Sequence, residues 1–532
     1  MNTKNAYQLR ANRGADRYNR APVGMAQDSS KITKHQSKKV SSIKEQSFDM
    51  QQKTPMDLNA VCDTLPDRSC RHPLTNMKQN AHLARCEESI KVRFDTIIPV
   101  LKKLANLQHN DNFTAEADTI TMQELGFKFP LDLIENSWIN GLDMGPLYAK
   151  GVFNALNSSV AQFSDDLGRS EEFKVDANSF FLDCGYHAVD ITPCADGRLK
   201  GLAKYILRLP LSAITVRNSY AGAMFNVEAN IKHWERLELA RIRNPENSHT
   251  DTGYLKIVVY HRSGSNPSHQ GCAAHGSNDK LAAEAGLEKL KEFREAIENT
   301  YCCGATIDIL LIGVDTDNDS IRIHTPDSQG NLSVHRYVDS AELYNQTLNL
   351  TPEQARVKLY TAIDECSDMT GWGQGDGRPG EGMRKIIANM LEYNLSQIEY
   401  VADLYGGTYP DIGHAERYIS VGDGFQEIQL RNIAYYAHLD TVEEGAADMD
   451  IGIKIFKGLN LKKGLPIPIA IHYRYDSKVP GSRKRVIEKC HRVKNAIVSR
   501  YKELVEKNSL IFQISVQDLP LGSELEIVSE EA

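Results

Sequence analysis

The stretch Leu255-Lys-Ile-Val-Val-Tyr260, which runs directly into His261, decides the fold class of this 532-residue chain. It predicts a buried strand, and a second apolar run from Ile307 to Val314 predicts another. The residues between Lys280 and Thr300 predict a helix, because apolar positions recur there every three or four residues: Leu287, Leu290, Phe293 and Ile297. A strand, a helix and a second strand in this order are typical of an α/β domain.

Patterns on both sides of this unit divide the chain into four parts. Apolar spacing is helical over 56–168, most clearly from His82 to Leu104, and predicts an all-helical N-terminal domain. The α/β pattern covers 169–410. Residues 411–532 predict a smaller α/β domain, with a strand from Ile467 to Tyr473 and a helix that begins at Ser482. Residues 1–55 predict a flexible basic arm.

The C-terminal domain repeats part of the central strand. Leu255 to Arg262 reads LKIVVYHR, and Pro468 to Arg474 reads PIAIHYR. We interpret the second segment as a degenerate copy of the strand that carries His261. Because the copy lacks the neighbouring cysteines, we expect it to be structural and without a metal site.

Charge is distributed unevenly along the chain. Residues 1–50 carry ten Lys/Arg and four Asp/Glu, a net +6, so with −8 for the whole chain the remainder carries −14. The arm has few large apolar residues, and a chain that cannot bury apolar surface is expected to stay unfolded. It is either a solvated tail or a tether for an acidic partner, and Asp16 argues against a transit peptide.

No apolar run approaches the roughly 18 residues that a membrane-spanning helix needs. The first ten residues, MNTKNAYQLR, lack the apolar centre of a secretory signal. We therefore expect no membrane segment and a cytoplasmic location. In that compartment the ten cysteines are expected to be reduced thiols or metal ligands.

The densest chemical signal is Pro193-Cys194-Ala-Asp196-Gly-Arg198. If the preceding strand continues here, Cys194, Asp196 and Arg198 point to one side at its carboxyl end, where α/β proteins build their sites. A thiolate at Cys194 suits zinc, and Arg198 can hold the Asp196 carboxylate ionised through paired hydrogen bonds. A salt-bridged turn around a buried cysteine explains the same segment equally well.

A second segment, from His261 to Cys272, supplies further ligand types. Three protein ligands would leave a fourth position for water, which is typical of a catalytic zinc ion. Two histidines compete for the remaining ligand position. Spacing favours His269, which gives His-x-x-Cys with Cys272, whereas the end of an apolar strand favours His261, because a strand holds a side chain more rigidly than a loop.

These motifs together resemble a known family. Pro193-Cys-Ala-Asp-Gly-Arg-Leu-Lys-Gly201, Gly271-Cys-Ala-Ala-His-Gly-Ser-Asn278 and Asp411-Ile-Gly-His-Ala-Glu-Arg-Tyr418 are similar to the carboxysome shell carbonic anhydrases, the divergent epsilon branch of the β-class. The resemblance covers nearly the whole chain. It implies a catalytic zinc domain at 169–410, a degenerate half-copy without a metal site at 411–532, and a homodimer.

The resemblance also implies the chemistry. One zinc ion per chain would be held by Cys194, His261 and Cys272, with Asp196 and Arg198 as the catalytic pair. A zinc-bound hydroxide would hydrate carbon dioxide reversibly to bicarbonate and so supply carbon dioxide to Rubisco inside the carboxysome of a bacterial cytoplasm. The arm would bind the carboxysome shell or Rubisco. His414 would lie near the site, either as a proton-shuttling group or as a structural histidine.

Two other functions compete with this one. A zinc deaminase needs Pro-Cys-x-x-Cys, and Gly197 stands where its second cysteine should be. A carboxysome organising protein with a structural zinc ion is the remaining alternative, and hydration of carbon dioxide by the purified protein discriminates between the two.

Three further motifs predict no site of their own. Cys62, Cys70 and Cys86 with His72 are too irregularly spaced to favour a second metal cluster. The run that begins at Asp315 lacks the glycine and glutamate of a calcium loop. Glutamates dilute the basic helix that begins at Ser482, so we expect no nucleic-acid partner.

Overall fold

The computed structural model describes residues 71–129, 144–167, 177–209, 215–243, 253–301, 307–367, 380–425, 428–439, 442–519 and 523–528. The predicted arm at residues 1–55 lies outside these ranges, and so do Cys62 and Cys70. The described residues all belong to one compact unit, Thr64–Ala532. Within these ranges, no helix combines the length and the apolar character that crossing a membrane requires.

The N-terminal region is helical, as predicted. Its helices are α1 Met77–Asp95, α2 Ile97–Leu107, α3 Phe113–Leu125 and α4 Met144–Leu167. The helical pattern from His82 to Leu104 is divided at Thr96 into α1 and α2. Pro99, the third residue of α2, has no N–H to donate to the Asp95 carbonyl, so one continuous helix would lose a hydrogen bond there.

The first sheet contains six strands in the order β2-β1-β3-β4-β5-β6. These strands are β1 Tyr186–Pro193, β2 Thr215–Arg217, β3 Gly253–Arg262, β4 Ile307–Asp315, β5 Ile321–His324 and β6 Val338–Asp339. The first four are parallel, and β5 and β6 are antiparallel to their neighbours.

Seven α-helices accompany this sheet in the described residues. They are α5 Ala177–Asp183, α6 Val227–Arg243, α7 Pro267–Gln270, α8 Asp279–Tyr301, α9 Ser340–Thr347, α10 Pro352–Ser367 and α11 Glu381–Tyr405. The predicted unit of strand, helix and strand is confirmed as β3, α8 and β4. All of β3 except Arg262 is buried, as a strand between two parallel neighbours should be.

A second sheet follows in the C-terminal region, in the order β11-β10-β9-β7-β8. Its strands are β7 Tyr418–Gly422, β8 Ala434–Ala437, β9 Ile467–Tyr475, β10 Leu510–Asp518 and β11 Leu525–Ile527. The helices of this region are α12 Val442–Leu459, α13 Ser482–Arg500 and α14 Lys502–Glu506. Only the pair β10 and β11 is antiparallel.

Both sheets share one strand order. The first reads β2-β1-β3-β4 before its antiparallel strand β5, and the second reads β8-β7-β9-β10 before its antiparallel strand β11. The strand β9, which carries the sequence repeat, therefore occupies the same place as β3. This agreement supports a duplication, which stays a proposal.

The loop that follows β1 lies between the two sheets. The Tyr436 N–H of β8 donates to the Ala195 carbonyl at 3.1 Å, and the Asn432 N–H donates to the Gly197 carbonyl at 2.8 Å. The N-terminal helices share a core with the second sheet, where Phe94 of α1 stacks on Tyr418 of β7 with ring centroids 6.2 Å apart. The motif around Cys194 is thus held by backbone hydrogen bonds from another part of the chain.

Candidate metal centre

Cys194 is the first residue after β1, and the main chain fixes its position. Its N–H donates to the Val259 carbonyl of β3 at 3.0 Å, and it forms an isolated parallel bridge with Tyr220. The side chain is buried. The carboxyl end of β1, where the sequence predicted Cys194, therefore lies beside the end of β3.

His261 and Cys272 come from β3 and from the loop after α7. His261 is the penultimate residue of β3, lies in register with Val314 of β4, and is buried. The Cys272 carbonyl accepts from the N–H groups of His275 and Ser277 at 3.0 and 2.9 Å, which closes a tight turn and keeps Cys272 buried. Rigid backbone thus supports both residues.

The three side chains converge. The Sγ atoms of Cys194 and Cys272 are 3.9 Å apart, and one ligand atom each of Cys194, His261 and Cys272 lies within 4.8 Å of the others. A disulfide needs about 2.05 Å between sulfurs. Two thiolates on one tetrahedral zinc ion, with Zn–S bonds of about 2.3 Å, would lie roughly 3.8 Å apart. The observed separation therefore fits a shared metal ion.

The structure distinguishes between the two histidines that compete for the third ligand position. His269 lies on the short helix α7 and is exposed, whereas His261 is buried beside both thiols. His269 does not belong to either candidate ligand group found among the described residues. The position of the strand end, rather than spacing to Cys272, identifies the histidine that reaches the cysteines.

Asp196 and Arg198 form a buried bidentate ion pair. Arg198 Nε donates to Asp196 Oδ1 at 2.9 Å, and Arg198 Nη2 donates to Asp196 Oδ2 at 2.8 Å. The predicted reason for their proximity was wrong, because β1 ends at Pro193 and does not alternate through them. Asp196 instead caps a short 3-10 helix, Gly197–Leu199, by accepting from the Arg198 N–H.

The rest of the guanidinium is held by main chain. Arg198 Nη1 donates to the carbonyls of Gln270 and Ile412, at 2.8 and 3.1 Å, and approaches the Thr316 hydroxyl. These acceptors come from three different segments. The arginine therefore has little freedom to leave Asp196, and the carboxylate is held in one orientation.

That orientation points toward the three ligands. Asp196 Oδ2 lies 3.2 Å from His261 Nε2, and Arg198 Nη2 lies 3.3 Å from the same nitrogen. Asp196 is thus close enough to act on a group held at the centre while both of its oxygens stay engaged by Arg198.

Electrostatics at the centre favour a bound cation. A hydrogen bond from Cys272 lowers the pKa of the Cys194 thiol well below its usual value, although burial opposes this, whereas the same contact raises the pKa of the Cys272 thiol well above its usual value. Burial would raise the pKa of Asp196, yet Arg198, His261 and His414 together hold it well below its usual value. Burial would also lower the pKa of His261, but Asp196 and Cys194 raise it to about 9. The negative groups attract positive charge, a role that a metal ion can fill once the ligands are deprotonated.

A second group of acid–base residues adjoins Asp196. His414 Nε2 lies 3.9 Å from Asp196 Oδ2, and His414 Nδ1 lies 2.9 Å from Glu416 Oε1. The sequence motif from Asp411 to Tyr418 contains both residues, and the resemblance implied a position near the site for His414. Glu416 received no role from sequence, because its burial against Gly197 depends on contacts between distant segments.

Other sequence candidates lie elsewhere. His187 pairs with Glu238, and a ring nitrogen of His275 contacts the Gly222 carbonyl at 3.2 Å. His72 bonds to Thr347, whereas Cys86 contacts His82, so these two do not share a site.

The aspartates of the calcium-like run are occupied by protein donors. Asp315 pairs with Arg262, Asp317 accepts from Ser263, and Asp319 accepts from Tyr409. They form no candidate ligand group among the described residues.

The fold and this ligand set define a class: an α/β protein with a buried thiolate and imidazole centre beside an ionised Asp–Arg pair. Three family models match the chain, described as the N-terminal, catalytic and C-terminal domains of the carboxysome shell carbonic anhydrase, over residues 72–164, 176–414 and 415–532.

Curated relatives cover nearly the whole chain. A carboxysome shell carbonic anhydrase from Halothiobacillus neapolitanus is 53% identical over 477 residues, which is 89% of this chain and 93% of the relative. Proteins of the same name from Prochlorococcus marinus strains MIT 9313 and MED4 are 43% and 45% identical, over 87% and 84% of this chain and 90% and 87% of their own lengths. The chain belongs to the carboxysome shell carbonic anhydrase family.

Proposed function

We propose that this protein is a zinc-dependent carbonic anhydrase that hydrates carbon dioxide reversibly to bicarbonate in the carboxysome. One observation carries the proposal: the ligand atoms of Cys194, His261 and Cys272 converge within 4.8 Å, in a buried position beside the pair of Asp196 and Arg198. Membership of the family supports both the activity and the carboxysomal location.

The donor set favours zinc over other common metals. Two thiolates and one imidazole suit Zn²⁺, whereas magnesium and calcium prefer oxygen ligands. Three protein ligands leave one position for water. When bound, zinc supplies a Lewis acid that lowers the pKa of water toward about 7.

The chain's own residues then orient the reaction and move its proton. Asp196 is ionised and has one oxygen 3.2 Å from His261, so it can accept a hydrogen bond from water beside the ligands. Arg198 occupies both Asp196 oxygens, which keeps the carboxylate in its observed orientation beside the ligands. It also supplies positive charge near the developing bicarbonate. His414, the next acid–base group, can take the proton from the neighbourhood of Asp196.

The test removes one ligand. Cys194→Ala should lose zinc and carbon dioxide hydration together, measured as metal content per chain and as stopped-flow hydration rate. Cys184→Ala is the matched control, since Cys184 is a buried thiol just before β1 and should retain both properties. Activity without metal would refute the mechanism. A wild-type protein that binds zinc but hydrates no carbon dioxide would favour the alternative, an organising protein with a structural zinc ion.

Association with other proteins is part of the proposal. We propose that the chain forms a homodimer and that its basic N-terminal arm binds the carboxysome shell or Rubisco. The net +6 of residues 1–50 beside −14 for the remainder supports an acidic partner for the arm.

A further inference from the structure

Asp196, His414 and Glu416 form a chain of acid–base groups that leads away from the metal ligands. His414 stands in the middle, 3.9 Å from Asp196 through Nε2 and 2.9 Å from Glu416 through Nδ1. The Asp196 and Glu416 side chains are 5% and 0% exposed, whereas His414 is 22% exposed. Of the three, His414 is therefore the group that can exchange protons with solvent.

Glu416 determines which nitrogen of His414 can accept a proton. When His414 is neutral, a hydrogen bond from Nδ1–H to Glu416 Oε1 leaves the lone pair on Nε2, the nitrogen that faces Asp196. The 3.9 Å gap from Nε2 to Asp196 is too long for a direct hydrogen bond. A carboxylate behind an imidazole fixes ring orientation and tautomer in this way in hydrolases with a catalytic triad.

The main chain holds Glu416 against the Asp–Arg pair. Glu416 Oε1 accepts from the N–H of Gly197 at 3.2 Å, and Gly197 is the residue between Asp196 and Arg198 in the sequence. A Cβ at position 197 would lie 2.4 Å from Glu416 Cγ, so only glycine permits this approach. The same carboxylate oxygen thus connects the backbone of the catalytic pair to His414.

The second oxygen of Glu416 points to a role beyond packing. Glu416 Oε2 is buried and has no hydrogen-bond partner among the residues that the structure describes. Leaving a buried carboxylate oxygen unsatisfied is unfavourable, and such groups concentrate where function requires them.

A hydrogen-bonded chain describes this group better than a second metal site does. Arg198 engages both oxygens of Asp196, at 2.9 and 2.8 Å, and Glu416 engages His414 Nδ1. Neither Asp196 oxygen, which a second metal ion would need, is therefore free of Arg198. Zinc content distinguishes the two interpretations, since a second site would give two ions per chain.

We propose that Glu416 is a positioning residue that orients His414 to carry the reaction's proton from the neighbourhood of Asp196 to solvent. Hydration converts carbon dioxide and water into bicarbonate and one proton. That proton binds His414 Nε2, and a buffer base removes it when the ring is exposed to solvent. The inference rests on the proposed carbonic anhydrase function and deepens it.

The first test is Glu416→Gln, which keeps the volume of the side chain and removes its charge. Turnover at saturating carbon dioxide and low buffer should fall roughly ten- to hundredfold, the usual effect of removing a carboxylate partner from a functional histidine. Added imidazole buffer should restore it. The ratio kcat/KM for carbon dioxide and the zinc content should stay near the wild-type values, because proton export to buffer limits kcat alone.

The matched control is Glu399→Gln. Glu399 is a buried carboxylate that accepts from the His72 N–H and the Tyr344 hydroxyl, and its replacement should leave the buffer dependence of kcat unchanged. If Glu399→Gln produced the same imidazole-restored defect, general destabilisation would explain both variants and the proposal would fall.

A double-mutant comparison shows whether Glu416 acts through His414. Adding Glu416→Gln to His414→Ala should cause no further loss of kcat, because the group that Glu416 positions is already absent. An additional loss of the same size as in the single variant would overturn the proposal, and two zinc ions per chain in the wild type would overturn it as well.

Failure of the relay and failure of the proposed function give different results. If His414→Ala keeps zinc, hydrates carbon dioxide and shows no buffer dependence beyond the wild type, the relay is wrong and the carbonic anhydrase assignment stands. If the wild type itself hydrates no carbon dioxide, the assignment fails first.

Discussion

The choice between His261 and His269 as the metal ligand depends on how rigidly each backbone segment holds its side chain. His261 is buried in a strand with neighbours on both sides, whereas His269 is exposed on a helix of four residues. His261→Ala should therefore lose zinc and activity together, while His269→Ala should keep one zinc ion per chain. Metal analysis of the two purified variants tests this directly, and the reverse pattern would show that the ligand comes from the loop.

Asp196 is expected to act on the proton and not on the metal. In Asp196→Asn the amide keeps one oxygen for Arg198 but cannot accept and pass on a proton, so kcat should fall by a factor of about 10² to 10⁴. Zinc content should not change, because Cys194, His261 and Cys272 are intact. Hydration rates and metal content of the same preparation provide the measurement, and near-normal rates would reduce Asp196 to a structural role.

Some of the candidate site residues could be identified from the sequence. Cys194, His261 and Cys272 stand next to strand ends or glycine-rich loops, so local pattern made them candidates, but it left His269 as a rival and the family resemblance implied the ligand set. Glu416 was missed because its meaning depends on Gly197, more than two hundred positions away, whose missing Cβ allows the carboxylate to approach. Such a contact between segments far apart in the sequence leaves no local periodic signal.

Among the elements, β3 is the strand whose integrity matters most for the site, since it carries His261 and receives the Cys194 N–H. A buried lysine ties it to β1. Lys256 Nζ donates to Asp190, Thr192 and Asn230 at 2.5, 2.9 and 2.8 Å, and all four residues are buried. The ammonium group therefore joins two strands and the helix α6.

Lys256→Met should destabilise the protein by about 3 to 5 kcal/mol, because it leaves the Asp190 carboxylate buried without its cation. Urea unfolding followed by circular dichroism measures the free energy of unfolding. The double variant Lys256→Met with Asp190→Asn is the control, and it should recover much of the loss since no unpaired charge remains. A single variant as stable as the wild type would show that the ion pair contributes nothing net.

Helices and strands could be predicted where one spacing of apolar residues dominates the sequence. The residues of β3, α8, β4 and β9 follow simple strand or helix patterns, and all four elements were predicted. The alternation assigned to Cys194, Asp196 and Arg198 failed because β1 ends at Pro193 and a short helix capped by Asp196 follows. After Pro193, the capping hydrogen bond of Asp196 determines the local structure instead of the alternating pattern of a strand.

At the scale of the whole molecule, the candidate site is assembled from several regions. Cys194 directly follows β1 and His261 lies on β3, whereas the segment that leads into the second sheet supplies His414 and Glu416. The matching strand orders support our proposal of an ancestral duplication, in which one copy would keep the metal ligands and the other would serve as a scaffold.

The charge distribution leads to the last prediction, which concerns residues 1–50. This segment carries +6 against −14 elsewhere, and the candidate ligands and proton-handling residues all lie between positions 194 and 416. Its deletion should abolish binding to an acidic partner such as Rubisco and spare carbon dioxide hydration.

A full-length variant with glutamine at Arg10, Arg13, Arg17 and Arg20 is the matched control, because it keeps the length of the arm and removes positive charge from it. If charge drives binding, affinity should fall steeply as the Debye length shrinks from about 30 Å at 0.01 M salt to about 8 Å at 0.15 M. Co-sedimentation or surface plasmon resonance over this range provides the measurement. Salt-independent binding, or binding that survives the deletion, would show that the partner is recognised by the folded domains.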